Sequence, residues 1–298
     1  MNIQQYLQDR KKMVEEALFK HLPPPNTYPA VIHEAMHYSL AAGGKRLRPI
    51  LVLASAEAIG HCDPAAMAPL YCAVEYIHTY SLIHDDLPAM DDDDFRRGKP
   101  SCHKAFGEGI AILAGDALLT YAFELLTHLA PPEGVFPEEL VVRIIKDISC
   151  SIGTTGLIGG QVVDLQSEAV RVDLDTITYI HRHKTGALFK TCILSGARLA
   201  GATEKELEHL ANYADAFGMA FQIIDDILDI EGDPALLGKP TGSDAKKQKA
   251  TYPGLMGIEA ARAKAEDCIS QAVRALESFG EQAEALRQLA VYIGQREI

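Results

Sequence analysis

The sequence predicts an all-α protein, and three observations carry that prediction. Apolar residues recur at spacings of three and four through most of the chain, the period of one helix face. Alternating β-branched runs bounded by Gly-Asn or Asp-Gly turns, which would signal hairpins, are absent. Pro-rich breakers fall between the periodic stretches.

Taken in chain order, the first periodic stretch is 10–19, and LPPPNTYP (22–29) closes it. Helices over 32–41 and 47–60 follow, with GGKRLRP (43–49) at their junction. The stretch 70–84 runs through YIHTYSLIH into a pair of aspartates. The next, 110–129, is strongly apolar, and APPEGVFP (130–137) stops it. Helices over 138–153, 174–200 and 207–230 come next, the last ending in a second aspartate pair. One long polar connection occupies 231–254, a length usually kept for function or disorder. Helices over 258–279 and 282–292 complete the set. The long central helices carry apolar residues around much of their surface, which implies burial on most sides.

Composition limits the function. Of 298 residues, 48% are hydrophobic and 23% charged, the balance of a packed soluble protein and not of a disordered or fibrous one. No composition shift marks a boundary, so one domain over 1–298 is expected. The net charge of −13 repels a phosphate backbone and argues against nucleic acid as a partner. An anionic substrate would therefore need local basic clusters, metal ions, or both. The charged first twenty residues lack the apolar core of a secretory signal. The apolar stretch 110–126 is broken by Asp116 and Glu124, so a cytoplasmic protein without stable membrane insertion is expected. The six cysteines are scattered and are expected to be reduced.

Three charged clusters carry the chemistry. Asp225 and Asp229 stand four residues apart on one helix face, beside Asp226, with only apolar residues and Gln222 for company. Carboxylates in such a setting need a counter-charge, and two of them on one face suit a hard divalent cation. Taken alone, this pattern fits a solvated acidic helix end about as well. Asp85 and Asp86 end another apolar helix, and Asp91 to Asp94 follow after LPAM. On an unbroken helix Asp91 would sit about 120° from Asp85. Pro88 makes an unbroken helix unfavourable, and a local distortion could return Asp91 to that face. Arg96, Arg97 and Lys99 follow at once, so acid and base stand together as a metal-bridged polyphosphate requires. The third cluster, GGKRLR, is purely basic, and its glycines let backbone approach a ligand. By itself it would read more readily as a surface charge run. Together the clusters predict two polyphosphate sites, one served by metal and one by side chains.

GGKRLRP (43–49), EYIHTYSLIHDDLPAMDDDDFRRGKPSCHKAFGE (75–108), GGQVVDL (159–165), HRHKTGALF (181–189) and FQIIDDILDIEGDPALLGKPTGSDAKKQKATYP (221–253) resemble the trans-isoprenyl diphosphate synthases, most closely the bacterial farnesyl diphosphate synthases. The resemblance runs from about residue 30 to the end; Ser101, at a position often held by Thr, departs from it at no ligand. It implies one domain of roughly ten core helices around a deep central cavity, paired as a homodimer. It implies a prenyltransferase that joins isopentenyl diphosphate to dimethylallyl or geranyl diphosphate, with about three Mg²⁺ per active site. Mapped by motif, Asp85, Asp91 and Asp225 would ligate magnesium with Asp86 in support. Arg96, Lys184 and Lys239 would hold the allylic diphosphate, and Lys45, Arg48, His78 and Arg97 the isopentenyl diphosphate. Thr185, Gln222 and the Lys184 carbonyl would face the developing carbocation. His78 precedes Asp85 by seven and shares its face, and Gln222 precedes Asp225 by three.

Product length follows from the residues one turn before Asp85. Ser81 leaves room, while Tyr80, pointing inward, would cap the growing tail. The expectation is a fifteen-carbon product, farnesyl diphosphate, with geranyl or geranylgeranyl diphosphate as alternatives. A terpene cyclase fits less well, because its second metal motif usually mixes Asn, Ser or Thr with Glu, whereas DDILD stands here. An inactive partner subunit would be expected to have lost aspartates, and none is missing.

Overall fold

The structure is a computed structural model that describes residues 1–60, 63–168, 170, 172–231 and 251–295. Helices make up nearly all of its regular structure: α1 (Ile3–His21), α2 (Ala30–Leu40), α3 (Leu47–Ile59), α4 (Ala68–Asp85), α5 (Cys102–Phe106), α6 (Glu108–Thr127), α7 (Glu138–Ile152) and α8 (Leu157–Ser167). After these come α9 (Leu174–Ile180), α10 (Ala187–Leu199), α11 (Glu204–Glu231), α12 (Tyr252–Met256), α13 (Ile258–Ala275) and α14 (Glu284–Gly294). Among the described residues the only strands are β1 (Phe95–Arg96) and β2 (Lys99–Pro100), a short antiparallel hairpin.

The chain divides into two compact units. One, the α4 unit, comprises Leu7–Ile50 and Asp63–Val142; the other, the α11 unit, comprises Met1–Tyr6, Leu51–Cys62 and Arg143–Ile298. Helices α1, α3 and α7 each contribute residues to both.

In the α4 unit, α4 is the core. Almost every side chain from Ala68 to Tyr80 is buried, so the helix is covered on all sides, as its all-round apolar surface requires. It packs mainly on α6. Gly115 of α6 permits that approach, because a Cβ there would collide with the His84 imidazole. The buried Tyr76 hydroxyl donates to the Leu18 carbonyl at 2.6 Å, which satisfies the one polar atom of a fully buried ring. Helix α6 is long and apolar enough to cross a membrane by length and composition, and Ala111, Ala114, Leu118 and Ala122 are buried as core positions.

In the α11 unit, the 28-residue α11 is about 42 Å long at 1.5 Å per residue. A capping box starts it: the Thr203 N–H donates to the Glu206 carboxylate at 2.7 Å, and the Glu206 N–H to Thr203 Oγ1 at 3.3 Å. Its main packing partner is α13, with α10 and α14 beside it. Tyr213, fully buried, donates to the Leu286 carbonyl of α14 at 2.8 Å.

The sequence reading and the structure differ in several places. The stretch 174–200 is not one α-helix, because His181–Gly186 widen into a π-helical turn between α9 and α10. Helix α8 spans GGQVVDL, whose two glycines weaken the helical signal in the sequence. Helix α12 begins inside the stretch expected to be one polar loop, started by Pro253 and capped by Thr251. The β1–β2 hairpin was missed because strands of two residues show no periodicity. No disulfide joins the described cysteines.

Candidate active site

The predicted residues fall on both units. In the α4 unit the first aspartates sit where α4 stops. Pro88 ends the helix, and the chain folds back: the Asp91 N–H donates to the Asp85 carbonyl at 2.8 Å, and the Asp92 N–H to the Leu87 carbonyl at 3.1 Å. The helix is thus broken between Asp85 and Asp91. Asp85 and Asp91 are half-buried, whereas Asp86 is buried.

Hairpin β1–β2 then directs the two arginines apart. Its central residues, Arg97 and Gly98, both have positive φ (53° and 76°), the geometry of a type I′ turn. Arg96 reaches Asp86 with Nε at 2.9 Å and a second, very close contact from Nη2. Burial raises the Asp86 pKa, and the Arg96 guanidinium opposes that rise. Arg97 instead donates to the Gly43 carbonyl. Gly44 has to be glycine for this seat: its φ is 136°, and a Cβ would lie 2.6 Å from the Arg97 guanidinium. A cavity of about 30 Å³, room for one water, is lined by Thr79, Leu82, Ile83, Asp86, Arg96 and Arg97.

GGKRLR separates its three cations. Arg46, at a φ of 51°, turns inward and is buried; it binds Glu75 at 2.9 Å, Glu15 at 3.4 Å and the Leu40 carbonyl at 2.7 Å. It is a strut that fixes the loop, not a ligand. Lys45 is exposed and Arg48 half-buried. Arg48, Arg97, Arg96 and Arg46 all act on His78, whose pKa is pushed well down by burial first and by these four charges after it. Arg48 and Arg97 thus bring positive charge close to His78. Tyr80 is buried with its ring edge-on to His84, 5.6 Å between centroids, and burial and then the Asp85 charge raise its pKa. Ser81 is half-buried, its hydroxyl donating to the His78 carbonyl at 2.9 Å.

In the α11 unit Asp225 and Gln222 are half-buried on α11, and Asp226 and Asp229 buried. The π-helical turn presents Lys184 and Thr185; such turns are rare and often mark functional sites. Two glycines seat it. A Cβ at Gly160 of α8 would strike the Lys184 backbone nitrogen, and one at Gly218 of α11 would lie 3.2 Å from Gly186 Cα. Lys184 Nζ bonds Asp164 of α8 at 2.6 Å. Lys239 lies outside the described residues.

Some candidate residues escaped the sequence reading. Asp164 is twenty residues from Lys184, and no local pattern announces their pairing. Asp92, Asp94 and His103 bring ligand atoms within 4.8 Å of one another and could hold a metal ion. There Asp94 pairs with Lys104 at 2.7 Å and His103 Nδ1 with the Ser101 hydroxyl at 3.1 Å. The acidic spacing was visible, but the buried histidine across the hairpin was not. The donor chemistry at Asp85, Asp91 and Asp225 is hard carboxylate oxygen, which fits Mg²⁺.

The polyprenyl synthetase family model matches residues 29–290. The chain is 48% identical over 296 residues to a geranylgeranyl diphosphate synthase of Cyanophora paradoxa, covering 99% of this chain and 97% of that one. It is 44% identical over 297 residues to the farnesyl diphosphate synthase of Geobacillus stearothermophilus, covering 100% and 99%. A solved FPP/GFPP synthase from Zymomonas mobilis superimposes with a TM-score of 0.85 at 37% identity, covering 98% and 99%. With its aspartate-ended helices, its basic loop and these relatives, the chain belongs to the polyprenyl synthetase family and is a trans-prenyl diphosphate synthase.

Proposed function

We propose that the protein is a farnesyl diphosphate synthase that condenses isopentenyl diphosphate with dimethylallyl and then geranyl diphosphate, releasing pyrophosphate. The observation that carries the fifteen-carbon product is Tyr80, buried one turn before Asp85 with its ring against His84, where α4 packs on α6. A bulky pair at that depth supports a stop after two additions. The relatives carry both farnesyl and geranylgeranyl names, which favours a twenty-carbon product as the second reading.

The difficult step is breaking the allylic C–O bond, which separates a carbocation from a pyrophosphate anion. About three Mg²⁺, held by Asp85, Asp91 and Asp225 with Asp86 in support, would neutralise charge on that leaving group. Arg96, Lys184 and Lys239 hold the same diphosphate. The bond from Arg96 Nε to Asp86 orients its guanidinium for that role. Lys45, Arg48, His78 and Arg97 hold the isopentenyl diphosphate without metal, so that its C–O bond is not activated for cleavage. The Thr185 hydroxyl, the Gln222 side chain and the Lys184 carbonyl face the allylic cation. The isopentenyl alkene attacks that cation to form the new C–C bond, and the proton then lost goes to the departing pyrophosphate.

Residues 1–298 act as one catalytic domain in this reading, supported by a family match that spans both units. A homodimer in the cytoplasm, without stable membrane insertion, completes it on the strength of the family resemblance. The test is mass analysis of the product from dimethylallyl and isopentenyl diphosphates with Mg²⁺. Fifteen carbons is the expected end point; a chain of twenty carbons would move the assignment to the second reading.

A further inference from the structure

The doubled aspartates of the two clusters divide alike. Asp85 and Asp225, the first of each pair, are half-buried, while Asp86 and Asp226, the second, are buried. Buried carboxylates need donors. Arg96 supplies them to Asp86. Asp226 is served differently, by groups from two elements of the α11 unit, and one of those groups is held by a third. Its Oδ2 accepts the Tyr252 backbone N–H of α12 at 3.0 Å and lies 3.6 Å from His181 Nε2 at the start of the π-helical turn. The His181 ring stacks on the Tyr252 ring with centroids 5.2 Å apart, and the Tyr252 hydroxyl pairs with Thr178 Oγ1 of α9 at 2.7 Å. His181 is itself buried, and its Nδ1 has no hydrogen-bond partner. A buried imidazole with one nitrogen unserved is costly. The packing alone would be met equally well by phenylalanine, which leaves the Nε2 contact as the feature that calls for histidine.

We infer that His181 is a positioning residue, which with Tyr252 fixes the Asp226 carboxylate and thereby the metal-binding end of α11 relative to the turn that carries Lys184 and Thr185. The inference rests on the assignment of Asp225 to metal. Two neighbouring residues of one helix cannot reorient independently when one carboxylate is bonded by the Tyr252 N–H and flanked by the His181 ring. Clamping Asp226 therefore holds the α11 backbone at Asp225 before metal arrives. Groups that orient ligands in this way typically carry a tenfold to hundredfold effect on metal affinity.

The test is a Mn²⁺ titration of the full chain with inorganic pyrophosphate, read by electron paramagnetic resonance, alongside thermal melting. His181→Phe keeps the ring on Tyr252 and removes Nε2; His181→Gln returns a polar group able to reach Asp226. The expected result is Mn²⁺ affinity about tenfold weaker in His181→Phe, recovered to within about threefold in His181→Gln, with both melting near the wild type. Wild-type affinity in His181→Phe overturns the inference, as does a His181→Gln no better than the phenylalanine variant. Failure of both variants to fold would make His181 a packing residue and also overturn it. Because the titration needs no turnover, absent prenyl transfer with this Mn²⁺ pattern intact would count against the proposed function alone.

Discussion

Asp225 and the cations of GGKRLR are the residues whose removal should separate the two diphosphates. Asp225→Asn should lower turnover about a hundredfold or more while leaving the helical circular dichroism unchanged. Near-normal turnover in excess Mg²⁺ would remove Asp225 from the metal set. Lys45→Ala or Arg48→Ala should raise the apparent KM for isopentenyl diphosphate far more than that for geranyl diphosphate, because their attraction is charge-assisted and local. An equal rise for both substrates would contradict separate sites. His181 carries a different expectation. Burial lowers its pKa from 6.5 to about 4, so below pH 6.5 the unfolded chain binds a proton that the folded one refuses. Its contribution is therefore complete above pH 6.5 and is lost as the pH falls toward 4, at about 1.4 kcal/mol per pH unit. Melting of metal-free protein between pH 7.5 and 5.5 should fall less in His181→Phe than in the wild type; equal falls would place the acid sensitivity elsewhere. At this scale the aspartates and arginines could be read from sequence because their chemistry lies in the side-chain type. Which partner each one takes could not. Lys45 and Arg46 are adjacent and look alike, yet one is exposed and the other is a buried strut between Glu15 and Glu75.

Helix α4 joins core and site in one element, and its end carries the product-length expectation. Tyr80→Ala removes a buried ring one turn before Asp85, and the space freed should shift the product toward twenty carbons or longer. Overfilling a rigid pocket costs typically about 1–3 kcal/mol, enough to change a product ratio about tenfold per step. An active mutant that still stops at fifteen carbons would show that Tyr80 is not the stop. The loop before α3 makes a second case. Gly44→Ala would drive a methyl group into the Arg97 guanidinium and impose an unfavourable φ, so isopentenyl diphosphate binding should weaken with the helices intact. Wild-type KM in that variant would show that Arg97 need not sit there. Most helices were readable because their apolar period is long and their breakers strong. The π-helical turn was not, since HRHKTG keeps helical composition, and its close seat on Gly160 and Gly218 is visible only in the structure.

At the scale of the whole molecule, an acidic chain of a family that handles anionic substrates carries two short basic runs, 45–48 and 96–99, both in the α4 unit. The net charge of −13 thus says little about substrate, and the local clusters say much more. The fold class was evident from periodicity and its family from five motifs, whereas the division into two compact units was not, because no composition shift accompanies it. The central claim is that ionisation of the allylic diphosphate is coupled to a second, isopentenyl diphosphate held by the basic group around His78. Pyrophosphate release from geranyl diphosphate with Mg²⁺, measured with and without isopentenyl diphosphate, tests it most directly. The account predicts release only when isopentenyl diphosphate is present, one pyrophosphate for each farnesyl diphosphate formed. Equal release in its absence would mark a cyclase-type ionisation and contradict the account.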